Sequence, residues 1–407
     1  MQKRNDIFPL AETTPLLRLA MWLVLGITTG VYSPVAMHVF LVVMSMTLVA
    51  CLILYRKPLL QSVLIALTVS LLGATLAAHQ RDELADRGMT IRQWQQAQKE
   101  PDASTHIGRS RLFFLQQRER LSQRYRQQGL EGDAYAMVAA MTLGDRAAID
   151  QRLRETYNVS GASHVLALSG LHMGIIYALL SLLTIGRRWR FLSQVIIVLS
   201  IWAFVFLVGL PTSAVRAATM LTLYALLSLG YRDRLSLNAL AFTAIVMLLV
   251  DPYLLFDVGF QMSYLAVLSI LVWTPVMNGW LGDEVLQRHR WLRWLWGLLT
   301  VSVAAQLGVA PLIAYYFGRF STCFLLTNLV AIPGVTLILY LSLATLLWAP
   351  MAVPLTAVVG FMNRCLEAIT RLPGASIEHL HPSGLQVSMV YLLVLVVYWL
   401  CVFFRRR

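Results

Sequence analysis

The stretch Val195-Ile-Ile-Val-Leu-Ser-Ile-Trp-Ala-Phe-Val-Phe-Leu-Val-Gly-Leu210 decides the fold class. Ser200 is its only hydroxyl, and the stretch carries no charge. It has no polar side to turn toward water, and hydrocarbon is the solvent that suits it. Leu392-Leu-Val-Leu-Val-Val-Tyr-Trp-Leu-Cys-Val-Phe-Phe404 repeats the pattern and runs straight into Arg405, Arg406 and Arg407. The whole composition agrees. Of 407 residues, 58% are apolar and 13% charged, against about 25% charged in ordinary soluble domains. So few charges could not cover a water-exposed surface, which argues against a soluble enzyme and a disordered chain. Cys51, Cys323, Cys365 and Cys401 lie far apart, with no CxxC or Cys/His spacing. Neither a disulfide framework nor a zinc site is supported.

Working outward, the apolar runs predict spans at 16–32, 35–55, 58–78, 164–185, 190–209, 212–229, 236–250, 254–274, 294–315, 322–348, 353–370 and 386–404. Most approach the ~20 residues that a bilayer requires. The expected fold is an all-α polytopic membrane protein with about 12 (10–13) transmembrane or half-membrane helices. Lys3 and Arg4 precede the first run without a small-residue cleavage site, so that run reads as a retained span.

Charge then gives the orientation. The net charge is +13, from 33 basic and 20 acidic residues. Basic loops mark the cytoplasmic side. With the N-terminus inside, Arg56/Lys57, Arg187/Arg188/Arg190, Arg232/Arg234, Arg288/Arg290/Arg293 and Arg405/Arg406/Arg407 all fall inside. Only Arg319 and Arg371 dissent, and both termini are expected in the cytoplasm. Residues 79–155 form a polar insertion of 77 residues on the outer side, with 13 basic and 11 acidic side chains. Within it Arg109, Arg111, Arg118, Arg120, Arg124 and Arg126 stand against Glu119 alone, interleaved with Leu112, Phe113, Leu115 and Leu121. This pattern fits an amphipathic helix on the membrane surface. It also fits an electrostatic collar that gathers nucleic acid.

Four runs place polar groups inside apolar surroundings. The first is Leu143-Gly-Asp-Arg146, followed by Gly161-Ala-Ser-His-Val-Leu-Ala-Leu-Ser-Gly-Leu-His-Met-Gly174. Glycines beside polar residues at membrane depth suggest a broken or closely packed helix lining a wet cavity. Ser169 and His172 share a helix face at i, i+3, and His164 joins them only if the helix is regular there. The second run is Gly209-Leu-Pro-Thr-Ser-Ala-Val-Arg216. Pro211 begins a helix that Thr212 and Ser213 can cap, with Arg216 one turn inside. The third, Asp251-Pro-Tyr-Leu-Leu-Phe-Asp-Val-Gly-Phe-Gln-Met-Ser-Tyr264, puts Asp257, Gln261 and Tyr264 on one face. Asp257 is also a candidate partner for Arg216. The fourth holds Gln306 and Asn328, buried amides that need partners, with Pro311 and Pro333 expected to break or kink their helices. Glu378-His-Leu-His-Pro382 begins like a metallo-hydrolase site, but the following Asp-His is missing and only 26 residues remain.

These four runs together resemble the membrane core of the ComEC competence family, the inner-membrane DNA-uptake channel of transformable bacteria. The family's Leu-Gly-Asp and Ser-His-x-Leu-Ala-x-Ser-Gly-Leu-His elements match 143–145 and 163–172. Its Pro-x-x-x-x-Arg-Ala, Asp-Pro…Gly-Phe-Gln-x-Ser and Gln…Pro-Leu…Tyr-Phe-Gly…Asn…Pro elements match 211–217, 251–263 and 306–333, in the family's order. The resemblance implies inward transport of single-stranded DNA during natural transformation, with no cofactor, no metal and no enzymatic activity of the chain's own. The expected organisation is an N-terminal three-span region at 1–80, a basic amphipathic insertion at 81–130 and a channel core at 131–407, the resemblance covering about 130–340. Path candidates are Asp145, His164, Ser169, Gly170, His172, Arg216, Asp257, Gln261, Ser263, Gln306 and Asn328. The six arginines at 109–126 are DNA-gathering candidates. Full-length members carry an external OB-type domain and a metallo-β-lactamase-like domain. Residues 79–155 look too short and strand-poor for the first, and the second is expected to be absent. A separate DNA receptor, a nuclease and a cytoplasmic helicase or single-strand-binding protein are therefore expected partners, besides the lipid bilayer.

Two other readings stand beside this one. An intramembrane hydrolase or transferase would use Ser169 and His172, and needs an orienting acid and an oxyanion donor. A small-solute exporter would use the same polar core.

Overall fold

The structure is a computed structural model and describes residues 14–90, 93, 106–182, 190–229, 237–281, 286 and 288–406. The expected cytoplasmic residues Arg187, Arg188, Arg232 and Arg234 lie outside these. Its principal helices, in chain order, are α1 (Pro15–Tyr32), α2 (Met37–Ile53), α3 (Pro58–Asp86), α4 (His106–Gln127), α5 (Gly132–Val138), α6 (Gln151–Ser160), α7 (Ser163–Leu166) and α8 (Gly170–Leu182). There follow α9 (Arg190–Leu207), α10 (Thr212–Leu229), α11 (Leu237–Val250), α12 (Val258–Asn278), α13 (Arg290–Phe317), α14 (Phe324–Leu347), α15 (Ala352–Thr370) and α16 (Gly384–Arg406). One two-residue ribbon pairs β1 (Phe320–Ser321) with β2 (Ser376–Ile377).

Seven helices among the described residues are long and apolar enough to cross a membrane, and α2, α8, α9 and α11 are shorter apolar helices. With α10, they coincide with all the expected spans. The protein is an all-α polytopic membrane protein. Pro311 and Pro333 do not break their helices: each sits inside a continuous one, as does Pro275.

The chain divides into two compact units. The first joins Met1–Asp102 to Asp233–Gln261. Its α1 and α3 cross with backbones nearly touching, because Gly26, Gly30 and Gly73 present no side chain there. A Cβ at Gly30 would lie 2.4 Å from the carbonyl oxygen of Ala74. Ala74, Ala77 and Ala78 line the contact and are buried. Small residues are what let membrane helices approach this closely. At the end of α3, Arg81 donates to the carbonyls of Gly30, Ser33 and Val35, at and just beyond the end of α1. The adjacent Gln80 donates to Asp251 (3.2 Å), which also caps the 3-10 turn Pro252–Phe256 by accepting from Tyr253 N–H. Burial pushes the Asp251 carboxyl above its usual pKa.

The second unit comprises Ala103–Arg232 and Met262–Arg407. Its core forms around 134–143, a run that continues α5 into a π-helical turn, Ala139–Leu143, and is buried throughout. Val335 and Ile338 of α14 and Leu355, Val359 and Leu366 of α15 pack on it. The basic helix α4 turns its apolar side onto this protein core. Tyr125 is buried with its hydroxyl donating to Ser342 O (3.3 Å), and Ser122 pairs with the Tyr135 hydroxyl (2.6 Å).

Candidate functional site

Regular helix fails in the second unit between α6 and α8. Gly161 ends α6 in the left-handed region at φ 85°, and a Cβ there would lie 2.7 Å from the Cβ of Ser321. One turn, α7, follows. Ala167 then turns extended (φ −94°, ψ 134°), and helix resumes only at Gly170. The span expected from 164 therefore starts six residues late. Hydroxyls from remote elements explain the break, since they take carbonyls that a continuous helix would use internally. Ser321 and Thr327 donate to Ser160 O at 2.9 and 2.7 Å, and Ser213 donates to Leu168 O at 2.6 Å.

Ser169 and His172 form a cap at the resumed helix. The Ser169 carbonyl accepts from Met173 N–H (3.3 Å), the first bond of α8. His172 Nδ1 accepts from Ser169 N–H (3.3 Å) and lies 3.0 Å from Ser169 Oγ. Ser-x-x-His thus supplies one half of a capping box, with imidazole in the place of a carboxylate. A main-chain N–H can only donate, so Nδ1 is bare and the ring proton sits on Nε2. His172 is fully buried, and Nε2 has no partner among the described residues. Burying such a donor unpaired costs about 1–3 kcal/mol. His164 lies at the exposed side of the break, its Nδ1 3.2 Å from Gly161 O and within electrostatic reach of His172.

Helix α10 brings Arg216 to the same place. Ser213, Arg216 and Ala217 share one face at i, i+3 and i+4. Ser213 bonds Leu168 O, and Ala217 is the neighbour that a Cβ at Gly170 would meet, at 3.9 Å. Arg216 is 2% exposed beside this break. The Ser213 hydroxyl, expected as a cap, donates to Leu168 O. Before α10, Gly209 (φ 88°) and Leu210 (φ 59°) are both left-handed, which is rare for leucine. Helix α4 holds this turn. Arg111 donates to Gly209 O (3.2 Å), Leu115 and Arg118 come within 4.0 Å of a Cβ built at Gly209, and Phe114 packs on Phe206 with ring centroids 5.6 Å apart. Burial pushes the Arg111 pKa down. Gly144 (φ 70°) closes the π-helical turn against Leu168 and Val208, and Asp145 accepts from Ala147 N–H at 3.0 Å.

The expected path residues thus separate. Asp145, His164, Ser169, Gly170, His172 and Arg216 gather around the break, with Arg111 and Arg118 at the neighbouring turn. Asn328 follows Thr327 on α14, and its buried Oδ1 has no partner among the described residues. Asp257 and Gln261 belong to the first unit, where Asp257 caps α12 through Phe260 N–H (2.7 Å) and Gln261 donates to Leu255 O (2.9 Å). Ser263 and Gln306 are half-buried on α12 and α13. Arg109, Arg120, Arg124 and Arg126 are exposed, with Arg126 over the Tyr135 ring at 4.5 Å. Among the described residues no group of three or more His, Cys, Asp or Glu could hold a metal ion.

Residues 141–404, well over half of the chain, match the family described as Competence protein. The chain belongs to this family. The match takes in the break, α10 and every helix up to α16, and begins after α4. ComE operon protein 3 of Bacillus subtilis is 30% identical over 264 residues, 62% of this competence-family chain and 33% of the relative. An uncharacterized protein of Aquifex aeolicus is 34% identical over 158 residues, 39% of the chain and 34% of the relative. Recombination protein 2 of Haemophilus influenzae is 24% identical over 209 residues, 48% and 26% respectively. The chain thus spans a third or less of these relatives' length, to the nearest few per cent. No solved structure matches it.

Proposed function

We propose that this competence-family protein takes part in DNA uptake as the membrane core of a route carrying single-stranded DNA into the cytoplasm. The observation that carries the reading is the helix break at 161–170, with Arg216 buried beside it. A polyanion needs a wet path with basic or hydrogen-bonding groups. Irregular backbone at membrane depth is tolerated where it is buried in protein or lines water. Arg111 and Arg118, at the turn that leads into α10, would draw the strand toward that break. A separate DNA receptor, nuclease and cytoplasmic helicase or single-strand-binding protein would complete the route. Deleting the gene in a transformable host should leave DNA bound to the cell surface and reduce transformants to background. Unchanged transformation would end this reading.

The proposed setting is the bacterial inner membrane, with both termini cytoplasmic and the insertion at 79–155 outside. Reporter fusions at Arg56 and Lys99 should then mark opposite faces, and the same face for both would overturn the scheme. A hydrolase built on the 3.0 Å contact of Ser169 with His172 is the second reading. Two features count against it. The base nitrogen already accepts a main-chain N–H, and Nε2 has no orienting acid among the described residues. We therefore read the chain as a transport component and not an enzyme.

A further inference from the structure

We infer that the outward stripe of α4 is a docking track for single-stranded DNA, with a base stacked on Phe113 and phosphates on Arg109, Arg120 and Arg124, and that the stacking selects single strands over duplex. This rests on the transport reading and adds to it a site that tells one strand from two. At about 100° per residue, Arg109, Phe113, Gln116, Arg120, Arg124 and Gln127 fall within about 60° of one line along the helix. All six are exposed. The opposite side of α4 faces protein. Arg111 and Arg118 turn to Gly209, Phe114 to Phe206, Ser122 to Tyr135 and Tyr125 to Ser342. The six arginines therefore divide. Two face the turn before α10, Arg126 lies over the Tyr135 ring, and three line the outward stripe. Glu119, the one acid of α4, sits about 80° to the side of that line. The stripe is thus uniformly positive, and its complement is a polyanion.

Phe113 decides which polyanion. Its side chain is in the open, at 55% exposure, yet its neighbours along the stripe are arginine and glutamine. A helix lying on a bilayer sinks an apolar face and shows its cations to water. The apolar face of α4 is taken up by protein, so a single phenyl ring among cations makes a poor lipid anchor. A single-stranded nucleic acid uses both features, since its bases stack on aromatic faces while its phosphates meet the guanidiniums. The ring is also held in place. Phe114 meets it edge-on with centroids 5.5 Å apart, and Phe114 packs on Phe206 in turn. A ring fixed in advance loses little freedom on binding. Duplex bases are already stacked on one another, so only an unpaired base takes the ring as a partner. The Phe113 end of the stripe is also the end beside the Gly209 turn, which leads into α10 and Arg216.

The test measures binding of fluorescent oligothymidylate, an abasic oligomer of the same length and a duplex to the full chain in phosphatidylcholine nanodiscs. Wild type should bind oligothymidylate about tenfold more tightly than the abasic oligomer, and more tightly than the duplex. Phe113→Leu keeps the apolar bulk and removes the aromatic face. It should weaken oligothymidylate about tenfold, leave the abasic oligomer unchanged and erase the preference over duplex. Phe113→Trp should keep that preference. Replacing Arg109, Arg120 and Arg124 together by glutamine should weaken both single-stranded probes alike and flatten the logarithmic salt slope by about two. Oligothymidylate binding by Phe113→Leu equal to that of wild type would overturn the stacking. If phosphatidylglycerol in the nanodiscs shields the α4 amides from hydrogen exchange and oligothymidylate does not, the stripe belongs to a lipid surface and the strand is overturned as its partner. Normal binding by both sets of variants would overturn the track and leave the transport reading standing. No oligothymidylate binding by wild type would overturn the track as well, and the transport reading falls with it only if deletion leaves transformation unchanged. Should Phe113→Leu fail to fold, the wild-type preference for oligothymidylate over the abasic oligomer decides alone.

Discussion

Gly26→Leu should remove the protein from the membrane fraction. A Cβ at Gly26 would lie 1.8 Å from the carbonyl oxygen of Ser70 and 2.8 Å from its Cα. Both atoms are main chain, so no rotamer change relieves the overlap. The same holds at Gly30 and Gly73, where the nearest atoms are the carbonyl oxygens of Ala74 and Leu23 at 2.4 and 2.6 Å. Helices in a bilayer associate through packing and hydrogen bonds, without a hydrophobic drive between them. Forcing α1 and α3 apart therefore removes most of what joins them. Overpacking at one site costs about 1–3 kcal/mol and sometimes more, and here the strain falls on a contact that α11 shares. Leu16 N–H donates to Asn238 Oδ1 (3.3 Å), and Gln80 reaches Asp251 just beyond α11. Gly26→Ala should give a smaller loss in the same direction. Immunoblots of membrane fractions and melting curves in detergent would measure both. A wild-type level of Gly26→Leu would show that the glycines are not a packing joint.

How much of this was legible in sequence depends on the range of the cause. The spans were legible because hydrocarbon imposes a local rule, about 20 apolar residues in a row. The break at 161–170 was half legible. Gly161, Gly170 and the clustered polar residues announced an irregular entrance. The atoms that set its place, Ser213, Ser321 and Thr327, act from remote parts of the chain and carry no local mark. The run at 134–143 lies hidden inside a polar insertion, since nine apolar residues and Thr142 are too few to cross a bilayer but enough for a buried helix. Gly26-Ile-Thr-Thr-Gly30 was in plain view as a small-xxx-small spacing inside an apolar run, and its partner glycine on α3 was not. Pro311 and Pro333 do not interrupt their helices, for a physical reason. A bilayer offers no alternative to a helix for satisfying most backbone groups, so prolines are retained within helices there.

Arg216→Gln should leave the protein near its normal level and lower transformation at least about tenfold, with DNA binding to the cell surface unchanged. Contacts made by its neighbours also seat α10. Ser213 bonds Leu168 O, Ala217 lies against Gly170, and Ala214 and Ala218 pack in the apolar cluster with Ile197 and Ile201. Glutamine is shorter but preserves an amide donor and good helix propensity. What it removes is the positive charge at 2% exposure. An arginine facing lipid at the centre of a span costs at least about 2.5 kcal/mol, and the positive end of the helix dipole at α10 adds to the expense of a cation one turn inside. On the transport reading, the strand's phosphates add to the interactions that offset that expense. Arg216→Lys separates charge from shape. It keeps the cation and loses the planar fork that grips a phosphate with two N–H groups, so it should fall between wild type and Arg216→Gln. A drop in protein level for both variants would assign the residue to folding. Normal level and normal transformation in Arg216→Gln would retire it from the path.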